Sequence, residues 1–158
     1  MQMPNEEQLV IRVTLTSAVL KSGKVPEYEI LIDGVIVQSG TANPDSASKF
    51  VVTVATTLVN GEHTLGVRFI NKNSKFDTII DANGKIVDDL YLVVEKVEVD
   101  DIDLGHNVLE KSTYTLDRPV GFNGAQISQL TKHNFLSWNG TWSLSFTSPF
   151  YLWLLENL

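Results

Sequence analysis

The sequence predicts an all-β protein, an antiparallel β-sandwich, on three observations. Runs of alternating, β-branched residues dominate the first two thirds of the chain. Asx-Gly dipeptides, which suit turns needing positive φ, punctuate it: Asp33-Gly34, Asn60-Gly61, Asn83-Gly84, Asn123-Gly124 and Asn139-Gly140. Helical periodicity is nearly absent, and the connections are too short for the helical crossovers that parallel strands need.

The strands follow in order. "LVIRVTLTSAVL" alternates apolar and polar residues after an apolar start. "YEILIDGVIVQSG" gives two short strands about Asp33-Gly34, and "KFVVTVATTLV" a Val- and Thr-rich one. "HTLGVRFI" follows a tight turn at Asn60-Gly61, and "LYLVVEKVEV" completes the set. Between the last two lies an irregular acidic loop, "KNSKFDTIIDANGKIVDDL". Composition shifts near "DDIDLGHN": the strands before it are aliphatic, and the chain beyond it is aromatic and richer in loops, with all three tryptophans. The division expected is a sandwich over residues 1–104 and a C-terminal extension over 105–158. In the extension, "FLSWNGTWSLSF" reads as a hairpin about Asn139-Gly140. "SPFYLWLLENL" reads either as a short helix with Ser148 as N-cap and Pro149 in its first turn, or as a buried strand.

Bulk properties exclude several classes. At 158 residues the chain buries enough surface, roughly 70% of the unfolded total, to need no covalent staples. It has no cysteine, which removes disulfides and thiolate metal sites. A net charge of −7 argues against nucleic acid as partner and suits cations and neutral glycans. The start, "MQMPNEEQ", lacks the basic-then-apolar pattern of a signal peptide and reads as the plain leader of a complete gene product. No apolar run reaches the roughly 20 residues of a membrane span, so membrane insertion is not expected.

The run "YEILIDGVIVQSG", a Val/Thr strand, "VNGEHTLGVRFIN", an acidic loop and "DLYLVVEKVEVD" together resemble the calcium-dependent, xylan-binding type of carbohydrate-binding module, over Leu9 to Asp103. The resemblance implies a jelly-roll-like sandwich and a calcium ion held by oxygen ligands on the loop between the last two strands, in contact with sugar hydroxyls. Asn71 matches the asparagine of the family's Asn-Asp pair, while Lys72 stands where its aspartate belongs. Asp89 and Leu92 match its Asp-x-x-Leu segment, with Leu90 and Tyr91 replacing the polar residues between them. With Asp77, Asp81 and Asp88 as substitutes, the implied metal ligands are Asn71, Asp77, Asp81, Asp88 and Asp89. The implied glycan contacts are Asn71, Asn73, Asp77 and Asp89. Calcium takes six to eight oxygens at roughly 2.3–2.6 Å, so the chemistry is suitable, but a lysine amine at the centre competes with the ion.

Each feature also has a plainer reading. Asp77, Asp81, Asp88 and Asp89 read equally as solvated turn residues. An EF-hand is excluded, because with Gly84 in the glycine slot the first and twelfth positions are Ile79 and Leu90. Asp100, Asp101 and Asp103 read as an acidic turn before a second cation site. His63, His106 and His133 show no metal-ligand spacing, and His63 reads as a hydrogen-bonded residue beside a turn. Phe135, Trp138, Trp142, Phe146, Phe150, Tyr151 and Trp153 form either a sugar-stacking platform or packing; buried-strand spacing favours packing, with Trp138, Trp142, Phe150, Tyr151 and Trp153 at an interface. The Asn139 sequon is read as a turn. No nucleophile elbow, phosphate loop or metalloprotease helix occurs, so no enzyme is expected.

The expectation is therefore a non-catalytic, carbohydrate-binding-module-like protein with Ca2+ as its cofactor. The resemblance implies a module normally attached to a secreted enzyme. Without an export signal and with an aromatic tail, this chain points to a bacteriophage virion: a tail, baseplate or capsid-surface subunit touching host glycans, on the particle surface, homo-oligomeric or part of a larger assembly. The runner-up is a purely structural virion protein; if the chain is not phage-encoded, it is cytoplasmic.

Overall fold

A computed structural model describes residues 5–42 and 49–157. The first alternating run forms β1 (Glu6–Ala18), whose Leu9, Ile11, Val13, Leu15 and Ser17 point inward. Asp33 and Gly34, at φ 53° and 79°, close a hairpin between β2 (Glu27–Ile32) and β3 (Val35–Thr41) as the dipeptide predicts. β4 (Phe50–Val59) and β5 (Gly61–Phe69) flank Asn60-Gly61 but lie in different sheets, so this turn is a corner between layers. The acidic loop holds a small sheet of its own, β6 (Thr78–Ile80) against β7 (Ile86–Asp89), turned at Gly84 with φ 80°.

β8 (Tyr91–Val99) shows a parity break that simple alternation misses. Leu92 and Val94 point inward, then Val97 and Val99. Thr14 pairs with Lys96 while Leu15 pairs with Val94, so Glu95 bulges out and resets which face the strand buries. β9 (Ile102–Asp103) and α1 (Gly105–Leu109) follow, a helix no sequence pattern announced. β10 (Thr113–Phe122) and β11 (Ala125–Thr131) form the hairpin foreseen at Asn123-Gly124, with φ 50° and 79°. β12 (Phe135–Leu136), β13 (Gly140–Ser148) and α2 (Phe150–Asn157) complete the chain.

Among the described residues all paired strands are antiparallel, and apart from the small β6–β7 sheet they form two facing sheets: β12-β8-β1-β4 with β9 beside β8, and β11-β10-β13-β5-β2-β3. The protein is an antiparallel β-sandwich. Leu9, Ile11, Val13 and Leu15 of one sheet and Ile30, Leu65, Val67, Phe69, Tyr114, Trp142 and Leu144 of the other belong to one core.

Residues 105–158, expected as an extension, supply inner structure. β13 lies between β10 and β5 at the middle of its sheet, and β12 pairs with β8 in the other. The segment read as one hairpin about Asn139-Gly140 therefore crosses between layers, and Gly140 is a strand residue rather than a turn residue. The tail is a helix, as one of its two readings had it. Its N-cap differs from expectation: the Ser148 hydroxyl has no partner among the described residues, and the backbone N–H of Phe150 donates to the Glu7 carboxylate at 3.0 Å. An anion from β1 thus meets the positive end of the helix. Trp142, Phe150 and Trp153, expected at an interface, are buried in the chain's own core, whereas Tyr151 faces outward.

Candidate functional site

The strand order brings the acidic loop, a break in β10 and the crossing before β13 to one end of the sandwich. Thr115 pairs with Gln129 and Val120 with Ile127, so Leu116–Pro119 bulge out of the β10–β11 ladder, while Leu116 stays paired with Gly140 of β13. Pro119 has no N–H to give to a ladder, which suits it to such a break. The result is a cleft of about 540 Å³, lined by Asn73, Asp117, Arg118, Pro119, Trp138 and Asn139 among others. Ligand clefts generally run about 300–1,000 Å³, and this hollow lies within that range.

Two locks shape this cleft. Lys72 N–H donates to Asn139 Oδ1 at 2.7 Å and Asn139 Nδ2 donates to the Lys72 carbonyl at 2.9 Å. The Asn139 amide is thereby spent on joining the acidic loop to the crossing segment. The Tyr114 hydroxyl donates to the Trp138 carbonyl and accepts from the Trp138 N–H at 3.3 Å. Burial raises the Tyr114 pKa, so the phenol stays protonated and keeps that donor. Trp138 is half-buried and packed against the core, its backbone is held by Tyr114, and the residue lines the cleft. Asp117 meets Arg68 at 3.4 Å, and Arg118 is exposed with no side-chain partner among the described residues.

The candidates named from sequence are dispersed around this loop. Asn71 accepts from Glu27 N–H at 2.8 Å and donates to the Val25 carbonyl at 2.9 Å, fastening the loop to the start of β2. Asp81 Oδ1 accepts from the Asn83 and Lys85 N–H groups within its own turn. Asp88 accepts from Lys21 N–H at 3.1 Å. Asp77 accepts from Lys24 Nζ at 2.5 Å and Asn73 N–H at 2.7 Å. Burial alone would raise the Asp77 pKa, but these bonds and the charges of Lys24 and Lys72 overcome it and hold the carboxyl below its usual range. Asp89 bonds Lys72 Nζ at 2.6 Å. Of the expected glycan contacts, Asn73 lines the cleft; Asn71, Asp77 and Asp89 do not, and are engaged with Val25, Asn73 and Lys72 instead. Among the described residues no three His, Cys, Asp or Glu side chains are grouped to hold a metal. Asp100, Asp101 and Asp103 serve the turn around β9: Asp100 accepts from Val10 N–H, Asp101 pairs with Arg12, and Asp103 accepts from Gly105 N–H. Sequence reading missed Asp117 and Arg118; the proline within an otherwise strand-like "TYTLDRPVGF" was the signal for a break there.

A second hollow of about 510 Å³ lies beside Glu62, His63, Phe146 and Trp153. His63 Nδ1 meets Asp33 Oδ2 at 2.6 Å and Nε2 meets the Val59 carbonyl at 2.6 Å. Both partners are acceptors, so the ring satisfies both only as the imidazolium. Burial pulls its pKa down, but the bonds to Val59 and Asp33 outweigh that and the net direction is up. For Asp33, burial pushes up, while the bonds from His63 and Thr64 win and the net direction is down. A raised histidine stabilises fully below its unfolded value, about 6.5, and loses that contribution as pH climbs through the folded value. The lowered Asp33 contributes above its unfolded value and loses it as pH falls through the folded one. The melting temperature should therefore decline as pH rises past neutrality, and His63→Gln should flatten that slope in a pH series of melts. An equal slope in the variant would remove His63 from the account.

Two solved structures resemble this fold. One, described as vCBM60 in complex with galactobiose, aligns with TM-score 0.52 at 20% identity, covering 85% of this chain and 96% of its own. The other, a selenomethionine form of vCBM60 described under a circular permutation linking two families of calcium-dependent carbohydrate-binding modules, aligns with TM-score 0.55 at 18% identity, covering 86% and 89%. These likenesses show a shared fold. No protein-family model matches the chain, and no curated protein matches it.

Proposed function

We propose that this chain is a non-catalytic carbohydrate-binding protein, and that its ligand lies in the cleft beside Trp138. The observation carrying this reading is the cleft's composition. A fixed tryptophan stands beside the polar groups of Asn73, Asp117 and Arg118, at the loop end of a fold shared with a galactobiose-binding module. An aromatic face meets the apolar face of a pyranose ring, while hydroxyls need the donors and acceptors around it. Isothermal titration with galactobiose and with soluble xylan tests it. Saturable binding by either is expected, and Trp138→Ala should weaken it at least about tenfold, or about 1.4 kcal/mol. Full affinity in folded Trp138→Ala would move the ligand elsewhere.

A subunit of a virion is the second reading. The observation favouring it is the outer face of α2, where Tyr151, Leu152 and Leu155 are 46%, 59% and 72% exposed. Apolar side chains grouped in this way suit a neighbouring subunit. In that setting the cleft would face outward from the particle toward host glycans.

A further inference from the structure

We propose that Lys72 is the resident cation of the acidic loop, taking the place a divalent ion would hold, so that the loop is built without calcium. Its side chain is 2% exposed. Its ammonium donates to Asp89 Oδ1 at 2.6 Å and to the Leu90 carbonyl at 2.6 Å. A carboxylate oxygen and a backbone carbonyl oxygen converging on one buried point are the donor types a hard cation takes. Here a covalently tethered charge fills that point.

The surrounding bonds agree. Asp89 Oδ1 also accepts from Thr78 Oγ1 at 2.7 Å and from Leu90 N–H at 2.8 Å, so the oxygen facing the ammonium is saturated with donors. The buried carboxylate of the loop, Asp77, has a lysine of its own, Lys24 at 2.5 Å. Asn71, Asp81 and Asp88 spend side-chain oxygens on backbone N–H groups. A calcium ion entering here would have to expel a buried ammonium and then find six or more oxygens. The residues present do not fit it.

Lys72 also bonds Asn139 through its backbone on both sides, so the same residue that neutralises the loop fixes one wall of the cleft. A monovalent ammonium fixed inside the loop offers no open coordination position to a ligand. Any ligand in the cleft is then held by the protein's own groups alone, and chelator leaves its binding intact. The inference itself does not rest on glycan binding, because melts read it directly.

The experiment is a set of thermal melts in excess EDTA and in 10-millimolar-range CaCl2, about the concentration at which even weak extracellular calcium sites fill. The wild-type chain should melt at the same temperature in both. A calcium-dependent rise of several degrees, the size expected when a ligand saturates the folded state, would overturn the proposal. Lys72→Met should melt several degrees lower than wild type in both buffers, and an unchanged melt would show that the ammonium pins nothing. Lys72→Asp, which exchanges the ammonium for a second carboxylate beside Asp89, should gain a calcium-dependent rise; a folded Lys72→Asp indifferent to calcium would show that the point is not a cation position. If that variant does not fold in either buffer, the wild-type and Lys72→Met melts decide.

Discussion

A chain ended after Asp103 is expected to give no cooperative thermal transition. β13 pairs with β5 from Gly140↔Phe69 to Ser148↔Gly61 and with β10 on its other side. Its loss leaves β5 an edge strand in the middle of what was a sheet. The cut also removes Tyr114, Leu116, Leu136, Trp142, Leu144, Phe146, Phe150 and Leu154, all buried. Each large side chain contributes about 1.5–3 kcal/mol on burial. Together they contribute about 12–24 kcal/mol, as much as or more than the roughly 5–15 kcal/mol of net stability typical of a domain. The remaining strands would expose Leu9, Ile11, Val13 and Leu15 of β1 on a face with half its partner gone. Circular dichroism with a thermal ramp, and dye binding to exposed apolar surface, read the outcome. A soluble, monomeric fragment with a sharp melt would instead make residues 105–158 an appendage, as a detachable anchor on a particle requires.

This expectation marks where sequence reading ran out. The aliphatic strands and the hairpins at Asp33-Gly34 and Asn123-Gly124 were legible because each rests on local chemistry: alternation for one, positive φ for the other. Which sheet a strand joins is set by pairing across long separations, and local pattern does not carry it. The aromatic C-terminal segment was legible as composition, whereas the place of β13 at the centre of its sheet was not. The bulge at Glu95 left a trace, because "VVEKVEV" breaks strict alternation, but a trace of a bulge is also a trace of a loop. At the candidate site, the acidic loop was visible as charge. Its lysine looked like a defect in a metal site. The distances show Lys72 and Lys24 answering Asp89 and Asp77 one to one. The cleft itself was hidden, since Asn73, Asp117 and Trp138 meet only through the sheet order.

Gly140→Ala should cost roughly 3 kcal/mol or more, far above the usual effect of one methyl group in a strand. Asn139-Gly140 looks like a turn dipeptide, and a turn glycine is needed for positive φ. Gly140 has no such conformation; it opens β13, flanked by Leu116 of β10 and Phe69 of β5. Its lack of a side chain answers a close approach instead. A Cβ there would sit 2.5 Å from the Thr115 carbonyl oxygen, 2.9 Å from the Tyr114 ring and 3.0 Å from the Leu116 Cα. Two of those atoms are backbone in the neighbouring strand and cannot swing aside. The third belongs to the tyrosine whose hydroxyl holds Trp138, so the strain reaches the cleft wall. Gly124, at φ +79° in the β10–β11 turn with nothing within 4 Å of its would-be Cβ, is the contrasting case. Gly124→Ala should cost only the left-handed penalty, about 1–2 kcal/mol. Denaturant unfolding of the two variants separates crowding from conformation. If Gly140→Ala proves as mild as Gly124→Ala, β10 and β13 must be free to part at this point, and the Tyr114–Trp138 lock would be looser than its hydrogen bonds imply.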